Sequence, residues 1–318
     1  MTLDADMLVD RRRMRRKVTF WRVVAVVLVL GLIGLAASYF SDEAGFGRGP
    51  HVARVAINGF IDDDRKQQDM LRKIAKDGQV KALILAINSP GGTTTGAEAL
   101  YEAIREVADE KPVVATLGTV AASGGYIAAI AADHIVARGN SITGSIGVIF
   151  QWAKARDLLD KVGVQFEEVK SSPLKAEPDP FTDTPAEARA VMEAMIKDSY
   201  DWFVGLVGER RKLPDYEARR LGDGRVYTGR QALEARLVDA IGGEETARDW
   251  LEREHDISRD LKVQDWQPAQ ELSALSLVKS AARISGLGGL LNRLVAFAPR
   301  GSADGLLSVW HAGDLQAE

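Results

Sequence analysis

Two residues in this chain have side chains that could do covalent chemistry together. One is Ser123, set among small residues in Ala121-Ala122-Ser123-Gly124-Gly125-Tyr126; the other is Lys175. A serine hydroxyl becomes a useful nucleophile when a base takes its proton, and lysine can be that base where histidine is missing. Lysine is protonated in water at neutral pH, so a lysine base has to be desolvated. The chain has no cysteine, which removes thiol nucleophiles, disulfides and thiolate metal sites.

The four histidines are poor partners for Ser123. His51 opens the folded region, and His255 and His311 lie in polar late segments. His134 stands at the mouth of an apolar strand, where a structural role is expected. No H-E-x-x-H spacing occurs, so no metal and no cofactor is expected. The base is therefore sought among lysines and carboxylates, with Lys170 as a rival to Lys175.

Other glycine-rich turns share the neighbourhood. Asn88-Ser89-Pro90-Gly91-Gly92 follows an apolar strand, and its glycines would let backbone N–H groups approach a developing oxyanion. An ordinary tight turn has the same composition. Ser123 itself reads either as a nucleophile at a strand-to-helix junction or as a helix cap. Ser145, in Gly144-Ser145-Ile146-Gly147-Val148, is a rival nucleophile, an accessory hydroxyl, or a serine that satisfies a glycine turn.

Strands alternating with helices must position these residues. Strands are expected at Val52–Ile57, Lys81–Ile87, Pro112–Thr116, His134–Ala137 and Val164–Val169. Helices are expected at Arg65–Lys76, Thr95–Ala108, Gly124–Ala131 and Pro185–Arg211, with a turn, a helix and a last strand over Arg225–Ile241. This order implies an α/β fold with parallel sheet layers and helical crossovers. Residues 51–268 form the expected catalytic domain and 269–318 a partly helical tail, where Leu287, Leu290, Leu291, Leu294 and Val295 could line one face.

The N-terminus places the domain. Seven basic residues in the first 22 face three acidic ones, and the uncharged run Val23–Phe40 that follows holds 18 residues. That suits a transmembrane helix with a cytoplasmic N-terminus, Trp21, Tyr39 and Phe40 at the interfaces, and a short linker at 41–50. A cleaved signal peptide is the rival, since Leu35-Ala36-Ala37-Ser38 offers small residues. The net charge of −4 gives no reason to expect nucleic-acid binding.

The motifs N-S-P-G-G, A-A-S-G-G-Y-I-A and T-G-S-I-G-V, in this order on a β/α alternation, resemble the signal peptide peptidase A family of serine peptidases in its short, single-span bacterial form. The resemblance covers about Val52–Gly243. It implies a ClpP/crotonase-like fold of repeated β-β-α units and a Ser-Lys dyad. Ser123 is then the nucleophile and Lys175, in Lys170-Ser171-Ser172-Pro173-Leu174-Lys175, the general base. The chain departs from the family pattern at Ser172 and Pro173, where glycine and a variable residue are common. Gly124 and Gly91 or Gly92 would supply oxyanion N–H groups, and Ser145 would orient the lysine.

The resemblance also implies a ring-shaped homo-oligomer, possibly an octamer, whose serine and lysine meet across a subunit interface. Its substrates would be remnant signal peptides and other apolar peptides. The site would lie on the periplasmic side of the bacterial inner membrane. Two other readings compete: a crotonase-like acyl-CoA enzyme, and a non-enzymatic membrane scaffold with Ser123 as a cap.

Overall fold

The computed structural model describes residues 17–26, 29, 49–268 and 307–309, the last as backbone only. The chain divides into two units, Met1–Gly49 and Pro50–Glu318. In the first, α1 covers residues 17–26. Among the described residues no helix is long and apolar enough to cross a membrane. Most of the expected span at 23–40 lies outside them, as do the leucines expected to line a helix in the tail.

In the second unit, β1 (His51–Ile61), α2 (Arg65–Lys76), β2 (Val80–Thr93), α3 (Thr94–Ala108), β3 (Val113–Ala122), α4 (Gly124–Ile130) and β4 (His134–Ala137) follow the expected alternation. Then come β5 (Ile142–Gly144), α5 (Arg156–Lys161), α6 (Ala186–Arg211), α7 (Asp215–Leu221), β6 (Val226–Thr228), α8 (Gly229–Glu234), β7 (Ala240–Ile241), α9 (Glu244–His255), β8 (Lys262–Trp266) and β9 (Leu307–Val309). The nine strands share one sheet, with the order β6-β5-β3-β2-β1-β8 along its main path. β1 pairs in parallel with β2 and β8, and β2 in parallel with β3. The far edge of β3 is divided, with β4 along Val114–Leu117 and β5 along Val120–Ala122.

The central strands read as continuous apolar runs because both faces are covered. On one face Val55, Ile57, Leu83, Leu85 and Ile87 pack with Leu71 and Ile74 of α2, Ile104 of α3 and Ile127 of α4. On the other, Val52, Ile84, Val114 and Val136 pack with Ala247 and Leu251 of α9. Helix α2 starts where the Asp64 carboxylate accepts hydrogen bonds from the N–H groups of Lys66 and Gln67. All seven residues of α4 are buried, and the Tyr126 hydroxyl donates to Leu237 O at 2.8 Å.

One expected element is absent. Residues Val164–Val169 form no strand, because no sheet edge lies alongside to satisfy their backbone groups. Val164 and Val169 face solvent, and Phe166 is half exposed against Phe181 at a centroid distance of 4.3 Å. β2 and β3 run farther than their apolar segments, to Thr93 and Ala122, which carries both glycine motifs into the sheet.

Candidate active site

Ser123 sits where β3 ends and α4 begins. Its N–H donates to Gly144 O at 2.8 Å, and its carbonyl accepts from the N–H groups of Tyr126 and Ile127. These bonds hold it at φ 57° and ψ −118°. That conformation costs a residue with a Cβ about 1–3 kcal/mol and persists only when the surroundings impose it. The cap reading fails here: Ser123 occupies the N-cap position of α4, yet its side chain makes no capping hydrogen bond.

Backbone approaches backbone around this turn. A Cβ on Gly124 would lie 3.1 Å from Gly92 N and 3.3 Å from Gly91 Cα, and one on Gly125 would lie 2.7 Å from Ser89 O. Gly92 is packed as closely on its other side, where a Cβ would fall 1.7 Å from Ile61 O. The two turn glycines are not equivalent. The Gly91 N–H donates to Ser89 Oγ at 3.1 Å, and Ser89 Oγ donates to Gly59 O at 2.6 Å. That leaves Gly92 as the turn glycine whose nitrogen lies nearest Gly124.

The sequence offers Ser89 only as part of a turn, directly before Pro90-Gly91-Gly92. Its role depends on Gly59, thirty residues earlier in the chain and on the adjacent strand β1.

Ser145 follows directly on the Gly144 carbonyl that holds Ser123. It has φ 50°, and its N–H donates to Arg225 O at 2.8 Å. It borders a cleft of about 370 Å³ whose walls include Ile146, Val148, Ile149, Ile196 and Tyr200. Two residues before Ser145, Thr143 Oγ1 donates to Ala121 O at 2.7 Å and ties β5 to β3.

The two lysines have opposite surroundings. Lys170 Nζ lies 2.5 Å from Glu168 Oε1, 2.7 Å from Glu177 Oε1 and 3.5 Å from Asp179 Oδ2. Hydrogen bonds to Glu168 and Glu177 raise its pKa and keep it charged. Burial pushes the Asp179 carboxyl up, but hydrogen bonds from the Thr182 hydroxyl and from the Phe181 and Thr182 N–H groups outweigh it and bring the pKa to about 2. Glu168, Glu177 and Asp179 converge closely enough to hold a cation, and the Lys170 ammonium already lies among them.

Lys175 is exposed in a turn, before Ala176 at φ 64°. Among the described residues its ammonium makes no hydrogen bond or ion pair, so a single chain does not join it to Ser123.

The histidines within the fold have structural partners. His134 stacks on Trp250 with centroids 4.8 Å apart, and burial lowers its pKa. His51 is buried against Trp266, whose Nε1–H donates to His51 Nε2 at 3.2 Å.

Known proteins resemble this chain in sequence. The profile of Peptidase family S49 matches residues 105–258, and that of Clp protease matches residues 53–141. A putative protease of Synechocystis sp. is 38% identical over 200 residues, covering 63% of this chain and 72% of that one. A putative protease of Methanocaldococcus jannaschii is 31% identical over 262 residues, 76% of this chain and 84% of that one. A putative signal peptide peptidase SppA of Enterococcus faecium is 35% identical over 220 residues, 64% of this chain and 63% of that one. With a ClpP-like sheet, a serine held in a strained turn between two glycine motifs, and these relatives, the chain belongs to peptidase family S49 and is a peptidase.

Proposed function

We propose that this protein is a membrane-anchored serine endopeptidase that cleaves remnant signal peptides and similar apolar peptides with a Ser123-Lys175 dyad. The observation that carries this reading is the Ser123 turn: a non-glycine residue at φ 57° beside the backbone of Gly91, Gly92 and Gly124, with no capping role. Ser123 Oγ attacks the scissile carbonyl while Lys175 Nζ takes its proton. The N–H groups of Gly92 and Gly124 stabilise the oxyanion, Lys175 returns the proton to the leaving amine, and water then hydrolyses the acyl-enzyme. Ser145 orients the lysine, and the apolar cleft beside it suits an apolar substrate side chain.

Lys175 reaches Ser123 of a neighbouring copy in a ring. Two features favour this. The Lys175 ammonium has no partner among the described residues, and between α5 and Lys175 the chain exposes Val162, Val169 and Leu174, apolar surface that a second copy would cover. Lys170, held by its carboxylates, is a poor base. The basic N-terminus and the run at 23–40 favour a single-pass anchor in the bacterial inner membrane, with the domain on the periplasmic side.

The test is cleavage of an apolar signal-sequence peptide, read by product mass. Ser123→Ala and Lys175→Ala are each expected to be inactive and Lys170→Ala active. Ser123→Ala and Lys175→Ala proteins, mixed after dissociation, are expected to regain activity. Cleavage by Ser123→Ala would overturn the nucleophile, and no recovery after verified reassembly would place the dyad within one chain.

A further inference from the structure

Lys175 stands on a short turn, 171–176, in which its N–H donates to Ser172 O at 3.1 Å and the N–H of Glu177 donates to Leu174 O at 3.3 Å. Neither flank of this turn is held by a strand or a helix, since none lies between the end of α5 at Lys161 and the start of α6 at Ala186. Side chains have to fix where the turn stands.

Lys170 ties the two flanks together. Its ammonium contacts Glu168 on its own flank at 2.5 Å and crosses the base of the turn to Glu177 at 2.7 Å and Asp179 at 3.5 Å. These are enclosed groups: the side chains of Lys170, Glu177 and Asp179 are 15%, 5% and 10% exposed. An ion pair between exposed, flexible side chains contributes little, whereas one shielded from water and shared among several partners holds them in one geometry. The far flank is itself anchored. The Asp179 carboxylate accepts hydrogen bonds from the N–H groups of Phe181 and Thr182 and from the Thr182 hydroxyl, and Pro180 O accepts from the N–H of Ala155 at the start of α5. The flanks meet again where Phe166 packs on Phe181.

We propose that Lys170 is a positioning residue: with Glu168, Glu177 and Asp179 it clasps the base of the 171–176 turn and so presents Lys175 at a fixed place to the serine it serves. This rests on the assignment of Lys175 as the base. Two lysines close together in the chain then divide the work. One is enclosed by carboxylates and holds the turn, and the other stands on the turn with no partner among the described residues.

Lys170→Ala is expected to stay active, because Lys170 does not take the proton, but with kcat for an apolar peptide about tenfold lower and KM within about twofold. A base held less firmly costs rate rather than binding. Lys170→Arg, whose guanidinium can span the same carboxylates, should restore most of the rate. Lys170→Met combined with Glu177→Gln removes the clasp without leaving a buried carboxylate unpaired, and should show the same fall as Lys170→Ala. Amide exchange over residues 171–177 should quicken in both, with exchange in β2 and β3 unchanged.

The mixed proteins separate positioning from general support of the fold. Lys170→Ala placed in the Ser123→Ala chain, which supplies Lys175, should lower the recovered activity about tenfold. Placed in the Lys175→Ala chain, which supplies Ser123, it should leave the recovery within about twofold of the parent mixture. Equal loss in both arrangements, or a wild-type kcat for Lys170→Ala, would overturn the clasp. Cleavage by Lys175→Ala alone would instead remove the base assignment. No recovery in the parent mixture would remove only the sharing between copies, and the kcat of Lys170→Ala and its rescue by arginine would still decide the clasp.

Discussion

The surroundings of Ser123 and of Lys175 are built to different standards of completion. Ser123 is 1% exposed, fixed by backbone hydrogen bonds from β5 and α4, and backed by a helix in which every residue is buried. Lys175 is exposed in a turn between α5 and α6, in a region where Val169 and Leu174 also face solvent and the nearby ion-pair cluster is centred on a different lysine. One half of the proposed dyad is finished within a single chain and the other is not. If the proposed dyad forms between copies, an isolated subunit would be kept from cutting peptides.

The largest expected effect tests the finished half. Ser123→Gly should lower kcat/KM by a factor on the order of 10⁴–10⁶, as loss of a nucleophile does. It should also stabilise the fold by about 1 kcal/mol, because glycine tolerates φ 57° without strain, and so raise Tm by about 2–4 °C. Lost activity together with a lower Tm would mean that the serine contributes to the fold as well as to the chemistry.

The unfinished half should respond in the opposite manner. Val169→Asp changes a residue that a single chain leaves in solvent, so the stability of the subunit is expected to move by no more than about 0.5 kcal/mol. Assembly, read by sedimentation, and peptide cleavage should both fall by more than about tenfold, since burying an unpaired carboxylate in an interface is costly. An active, fully assembled Val169→Asp protein would place the interface elsewhere.

Gly124→Ala is a finer cut at the finished half. Its Cβ would stand 3.1 Å from Gly92 N, so the two proposed oxyanion donors would be pushed apart. The expectation is a fall of about 10²-fold in kcat with little change in KM, as for loss of one oxyanion donor.

The smallest effect concerns pH and the Lys175 region. Asp179 has a folded pKa near 2, below its ordinary 3.8, so its contribution is fully present above about pH 3.8 and is lost as the pH falls toward 2. Amide exchange over residues 179–182 should rise across that window in the native protein and show no such step in Asp179→Asn.

Much of the fold could be read from the chain because its signals are local. The apolar run Lys81–Ile87, the periodic Met70, Leu71 and Ile74, and Asp64 before α2 each specify an element through short-range sterics and burial on one or both faces. Val164–Val169 misled for the same reason: its composition suits a strand, but a strand exists only where a neighbour supplies hydrogen bonds, and the chain alone supplies none.

The candidate site divides in the same way. Its residue types, the order of the three glycine-serine motifs and the absence of a histidine placed to serve Ser123 were determined by the sequence, and those features pointed to a peptidase and to the lysine base proposed above. Four things were decided by the tertiary structure: the strained turn at Ser123, the engagement of Gly91 by Ser89, the capture of Lys170 by Glu168 and Glu177, and the placing of β9 against Gly91–Thr93. Each depends on hydrogen bonds or pairings between groups that are brought together only by packing, and sequence spacing does not record which donor meets which acceptor.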